Sequence, residues 1–263
     1  MKLHKVTSWH ELVQLLDELD GWAFRGERSA QWDLLTSLAR RLIQFCPEPR
    51  LWPAREARAM RIFRRKAHNF LSDRSVLDDG LRCLAMMQHH GAPTRLLDFT
   101  KSPYVAAFFA FENATEEAAL FALDTPRLWS ATPDFDRELT RDRIDPRSPA
   151  NFARYFAGND VPVLWVGEPS EMDHRLLAQS GLFVVPGVIQ LTLEQILARY
   201  DSSGSLLVKI VLPRTLREEA MHHLYRMNIT YSTLFPDIEG LARSVAYELE
   251  VLWQAREGSL VQS

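Results

Sequence analysis

The 263-residue chain lacks the features that mark several protein classes. Its two cysteines, Cys46 and Cys83, form neither a disulfide framework nor a CxxC pair, a usage that fits a reducing compartment and a cytoplasmic location. The formal net charge of −3 supplies no global pull toward nucleic acid or an anionic membrane, so neither is expected as a partner. No apolar run approaches the roughly 20 residues of a bilayer-spanning helix. The opening MKLHKVTSWHELVQLLDEL turns amphipathic at once, without a signal-peptide core. Two phosphate-binding signatures are missing: no GxGxxG follows a strand, and no GxxxxGK(S/T) occurs. No metal is expected either. His89 and His90 end one predicted helix and His222 and His223 sit on another, without HExxH, and adjacent helical histidines diverge by about 100°.

What is present is an apolar fraction of 46% broken into short helical and strand-like pieces. Leucines at helical spacing predict a helix over 9–19, with Thr7 or Ser8 as its cap. WAFR reads as a short strand over 22–25 ended by Gly26. Helices are predicted over SLARRLIQFC, over the basic stretch 53–71, over 81–90 before Gly91 and Pro93, and from Ser102-Pro103 through Phe111. AALFALD, VPVLWVG, GLFVVP and GSLLVKIVLP read as strands, TLREEAMHHLYRMN as an amphipathic helix, and a last helix runs from Asp237 to about Trp253. The stretch 125–160 is rich in Arg, Asp and Pro with weak periodicity, and reads as an insertion or mobile segment. No strand–helix unit repeats. The expected fold is therefore α+β, short irregular strands forming a central or split sheet with surrounding helices, in a single domain.

Four stretches concentrate polar groups against these apolar segments. In FRGE, Arg25 ends a strand beside Gly26, which suits a surface turn or an anion-binding guanidinium where glycine lets a ligand approach the backbone. In PTRLLDFTKSP, Arg95 and Asp98 at i, i+3 suit a brace for the loop, Ser102 suits a helix cap, and Thr100 is the freer hydroxyl. RLLAQSGLF sets Arg175 and Gln179 on one helical face, and FPDIEG puts Asp237 and Glu239 at a helix start, where acids are also favoured by the dipole. The basic helix is read as a solvated face that a phosphate-rich partner could use.

In that order, WAFRGERSAQWDLLTSLAR, MQHHGAPTRLLDFTKSPYVAAFFA, RLLAQSGLF and ITYSTLFPDIEGLA resemble the motifs of the FRG domain family, named for the triplet found here as Phe24, Arg25 and Gly26. The segment from Gln88 to Pro103 is similar to its longest signature, QHxGxPTRLLDxTxSP. The resemblance implies a bacterial protein of a kind often carried by phages or mobile elements. A weaker likeness links the same pattern to the NAD-cleaving ADP-ribosyltransferase superfamily. That likeness implies an NAD-dependent transferase or glycohydrolase of the toxin or anti-phage effector kind, acting on an unknown macromolecular target. Arg25, Gly26, Gln88, Thr94, Arg95, Thr100 and Gln179 would then bind cofactor, and Glu239, Asp237 and His89 would be the catalytic candidates. Cleaving a glycosidic bond to a cationic leaving group builds positive charge on the sugar, which one carboxylate can stabilise. Glu248 and Glu250 form an ExE pair outside the signature and rank below Glu239. The alternative is a non-catalytic module that binds a nucleotide or phosphate ligand.

Overall fold

Seven short strands hydrogen-bond into one mixed sheet, and the apolar residues of its inner strands bury against helices from elsewhere in the chain. The structure, a computed structural model, describes residues 1–249. The strands are β1 (Lys2–Lys5), β2 (Ala23–Glu27), β3 (Leu97–Thr100), β4 (Ala118–Leu123), β5 (Leu164–Gly167), β6 (Gly181–Pro186) and β7 (Leu207–Leu212). They lie in the order β1-β7-β4-β2-β3-β6-β5. β1 runs parallel to β7, and the remaining neighbours are antiparallel. Around them stand α1 (Trp9–Asp17), α2 (Ser37–Phe45), α3 (Trp52–Ala67), α4 (Gly80–His89), α5 (Pro103–Phe111), α6 (Thr125–Ser130) and α7 (Pro149–Asn151). The chain continues with α8 (His174–Ala178), α9 (Leu193–Leu197), α10 (Arg217–Arg226), α11 (Tyr231–Leu234) and α12 (Ile238–Tyr247). The architecture is α+β, as the interspersed, non-repeating pattern predicts.

Local chemistry starts many of these helices. The side chains of Ser8, Thr36, Asp79, Ser102, Asp173 and Asp237 each accept a first-turn backbone N–H, satisfying a donor that has no intrahelical partner. α5 is apolar on nearly every side, and Val105, Ala106, Ala107, Phe108, Ala110 and Phe111 are all buried. It lies on β2 at Gly26, where an added Cβ would come 2.0 Å from the Ala106 carbonyl oxygen and 2.5 Å from the Ala110 nitrogen. The strand therefore does not end at Gly26 but runs through it to Glu27, and the missing side chain admits a helix rather than a ligand.

Alternation along the strands sorts the core into layers. Phe24 packs with α1, α5 and α10 residues such as Leu12, Phe108 and Leu224. Ala23, Leu97, Phe99 and Phe121 face the other side, against Leu34, Leu193 and Ile196. A third cluster gathers Leu84 and Met87 of α4 with Trp165, Phe183 and Val185. The register pairs Phe24 with Thr100, and Asp98 with Phe183. The Phe24 cluster and the Phe183 cluster thus occupy the same face of the sheet, with β3 between them. There β3 presents Asp98 and Thr100, polar residues that cannot extend either core, so a groove separates α5 from α4.

The stretch 125–160 contributes to these cores. Ile144, Phe152, Tyr155 and Phe156 are buried around Trp165, and α7 passes into a π-helical turn over Phe152–Ala157. Among the described residues no helix is long and apolar enough to cross a membrane.

Candidate functional site

The sheet is weakly joined where the groove begins. β2 and β4 pair at five successive positions from Ala23 to Glu27, whereas β2 and β3 share the single pair Phe24–Thr100. Beyond that pair the two strands part, and Arg25 enters the gap. Its Nε donates to Glu27 Oε1 at 2.8 Å, and its Nη1 donates to the Asp98 carbonyl oxygen at 2.8 Å. Nη2 has no hydrogen bond among the described residues. Glu27 is almost fully buried, and Arg40 of α2 also donates to it at 2.9 Å. Burial alone would raise the Glu27 carboxyl, but the two guanidinium groups, Arg25 foremost, hold it below the usual carboxylate value.

Three hollows meet at this point. The first, of about 310 Å³, lies between β2, β3 and α5, and its walls include Arg25, Trp32, Asp98, Thr100, Phe109, Glu112, Arg175 and Gln179. The second, of about 770 Å³, opens toward α2 and is lined by Arg25, Arg40, Arg41, Gln88 and Asp98. The third, of about 70 Å³, adjoins Gln88, His89, Asp98, Arg175 and Gln179. Asp98 borders all three, so they form one branched cleft centred on β3.

Several expected site residues come together here. Arg25, the Gly26 backbone, Thr100 and Gln179 line the first hollow, Gln88 lines the other two, and His89 lines the smallest. Thr100 Oγ1 donates to the Gln179 carbonyl at 2.6 Å and accepts from Ser102 N at 3.0 Å, so its hydroxyl ties β3 to the turn after α8. The Gln179 amide donates to the Leu234 carbonyl at 3.0 Å, and the Arg175 guanidinium lies 4.4 Å from the centre of the Phe235 ring. The RLLAQSGLF and ITYSTLFPDIEGLA segments therefore meet at one edge of the cleft. His89 Nδ1 sits 3.0 Å from Asp173 Oδ2.

Other expectations require correction. Arg95 does not brace Asp98. Its side chain is fully buried and is bound by Glu56 of α3, with Nη1 donating to the carbonyls of Pro186 and Gly187 at 3.2 and 3.3 Å. A buried guanidinium demands a buried carboxylate, and the i, i+3 spacing to Asp98 said nothing of one 39 residues upstream. Thr94 is also fully buried, its hydroxyl bonded to Gln88 Oε1 while the Gln88 amide donates to Asp98 Oδ1 at 2.7 Å. Thr94 thus acts through Gln88, fixing the Asp98 carboxylate. Asp237 caps α12 by accepting from Gly240 N at 2.8 Å, and Glu239 is solvent-exposed and paired with Arg243 at 2.6 Å. Neither acid lines the three hollows. Glu250 lies outside the described residues, as does Trp253.

Sequence reasoning passed over two carboxylates that do line the cleft. Asp98 was spent on the supposed brace. Glu112 follows α5 directly, a lone acid behind an apolar helix, which is a faint signal. Its carboxylate accepts from the Tyr231 hydroxyl and from Asn113 Nδ2 at 2.9 Å. Burial pushes the Glu112 carboxyl above its ordinary value, against weaker opposing effects from Arg243, Asn113, Arg217 and Arg28. His222 and His223 have no part in the cleft, and His223 stacks on Trp9 at 5.2 Å between ring centres.

No curated protein and no solved structure matches the chain. A family model described as FRG domain matches residues 20–119. That span runs from just before β2 into β4, so it holds Arg25, Gln88, Asp98, Thr100 and Glu112, while Arg175 and Gln179 come from beyond it. The match covers well under half of the chain, and the two strands that part to form the cleft both lie within it.

Proposed function

We propose that this cleft binds a nucleotide and that the chain is a nucleotide-processing enzyme of the ADP-ribosyltransferase type, with NAD as its cofactor-substrate. The observation that carries the reading is the seat of Arg25. Glu27 and the Asp98 carbonyl hold its guanidinium rigid in the gap between β2 and β3, with Nη2 left over. A preorganised guanidinium loses little rotamer entropy on binding and matches phosphate geometry. Arg40, Arg41 and Arg175 add positive charge along the same cleft, and Trp32 and Phe109 add aromatic surface for a base or nicotinamide ring. Asp98 and Glu112 both line the first hollow, where chemistry that builds positive charge on a ribose requires a carboxylate. Gly26 contributes only its backbone edge in this reading.

The test is incubation with NAD⁺ labelled in the nicotinamide ring and, separately, in the adenylate. Release of nicotinamide, with or without transfer of label to protein or nucleic acid, supports the reading. Unchanged NAD⁺ overturns it. A second reading, a nucleotide-sensing module without turnover, draws on the position of Asp237 and Glu239 outside the cleft. It requires a nucleotide-dependent thermal shift, an unaltered ligand by mass spectrometry, and no growth defect on expression. Growth arrest on expression is what a toxin or anti-phage effector requires.

A further inference from the structure

Resting on the nucleotide-processing reading, we propose that Glu112 is the proton-accepting carboxylate of this cleft, acting on the hydroxyl that attacks the sugar. Three observations converge on it. Its side chain lines the same hollow as Arg25 and Asp98. It is anchored: the Tyr231 hydroxyl donates to it, and Arg217 fixes the end of α5 by donating to the Phe111 and Glu112 carbonyls, each at 2.8 Å. Unlike Glu27, it has no guanidinium within ion-pair distance among the described residues, and burial outweighs the arginines farther off.

The charged groups that face it come from four directions. Arg28 follows β2, Arg217 opens α10, Tyr231 opens α11, and Arg243 reaches from α12. Arg243 is itself held by Glu239 at 2.6 Å. A carboxyl that burial shifts above the ordinary glutamate value is better matched to proton transfer than an unshifted one.

In the step itself, the bond between ribose C1′ and the pyridinium nitrogen breaks, and its electron pair stays on nitrogen, releasing neutral nicotinamide. The oxygen of water or of an acceptor hydroxyl bonds to C1′, and its proton passes to the Glu112 carboxylate and then to solvent. One proton is released per NAD⁺ consumed, with no oxidant or reductant required.

The experiment compares wild type, Glu112→Gln and Tyr231→Phe in nicotinamide release across pH, with NAD⁺-induced thermal shift as the binding readout. Glu112→Gln should lose at least about 100-fold in kcat while its thermal shift with NAD⁺ persists. Wild type should show an acid limb lying above the ordinary glutamate range, and Glu112→Gln should lose that limb. Tyr231→Phe removes a donor that favours the charged carboxylate, so its acid limb should move to higher pH, an effect a purely structural role would not give. Equal turnover by Glu112→Gln, or an acid limb unmoved in both variants, overturns the role of Glu112 alone. No turnover by wild type overturns the enzyme reading and this role with it.

Discussion

Arg25 on β2 donates from Nη1 to the backbone carbonyl of Asp98 on β3 at 2.8 Å, across the point where the two strands cease to pair. One side chain thus replaces the missing ladder bonds, and the same substitution opens a cleft. Its second anchor, Glu27, is shared with Arg40, so β2, β3 and α2 are tied through a single buried carboxylate.

Replacing Arg25 separates charge from geometry. Arg25→Lys keeps a cation but cannot reach Glu27 and the Asp98 carbonyl together while leaving a planar N–H free. The NAD⁺-induced thermal shift should vanish in both Arg25→Lys and Arg25→Ala, and differential scanning fluorimetry reads this directly.

Glu27 ties stability to pH. Its folded-state carboxyl lies below the ordinary glutamate value of about 4.5, so its ionisation favours the folded chain above about that pH. The contribution is lost as pH falls through the lower folded value. Urea midpoints from pH 7 to pH 3 should drop on the acid side in wild type. Glu27→Gln should be less stable than wild type at pH 7 and show a flatter acid limb.

Glu112 has the opposite sign. Burial raises its folded-state carboxyl above 4.5, so stability declines as pH rises from about that value through the raised one. Glu112→Gln should match wild type near pH 4 and exceed it at pH 7, measured as the difference in urea midpoint.

The buried Arg95–Glu56 pair is predicted to be structural. Arg95→Met strands the Glu56 carboxylate and should cost about 3–5 kcal/mol, whereas Glu56→Met with Arg95→Met should regain much of it. Chemical denaturation of the three variants checks this. A double variant no more stable than Arg95→Met contradicts the assignment.

Gly26 is predicted to be required by packing. With a Cβ facing backbone atoms of Ala106 and Ala110, α5 must be displaced, and Gly26→Ala should destabilise by about 1–3 kcal/mol or more. The loss should appear in the absence of any nucleotide.

Much of the fold was legible in residues 9–19, 81–90 and 102–111 because caps, apolar periodicity and Pro or Gly punctuation are local signals. β1 was not, since Lys2–Lys5 is exposed and its strand character comes from parallel pairing with β7 some 200 residues on. Of the site, the polar character of Gln88 to Thr100 was readable, but the direction of each side chain was not. Arg95 turns inward to Glu56, and Ser37 accepts the Thr94 backbone N–H, contacts of long sequence separation that no spacing rule encodes. Glu239 drew attention as an acid at a helix start, yet its partner Arg243 is one turn along the same exposed helix. Glu112 drew none, because its neighbours Tyr231 and Arg243 arrive from the other end of the chain.

The central claim, that a nucleotide occupies the cleft where β2 and β3 part, is tested most directly by hydrogen–deuterium exchange with and without NAD⁺. Protection is predicted at 23–28, 97–100, 109–113 and 175–180, with the basic helix α3 unchanged. Protection confined to α3, or an exchange pattern identical with and without NAD⁺, would contradict the account.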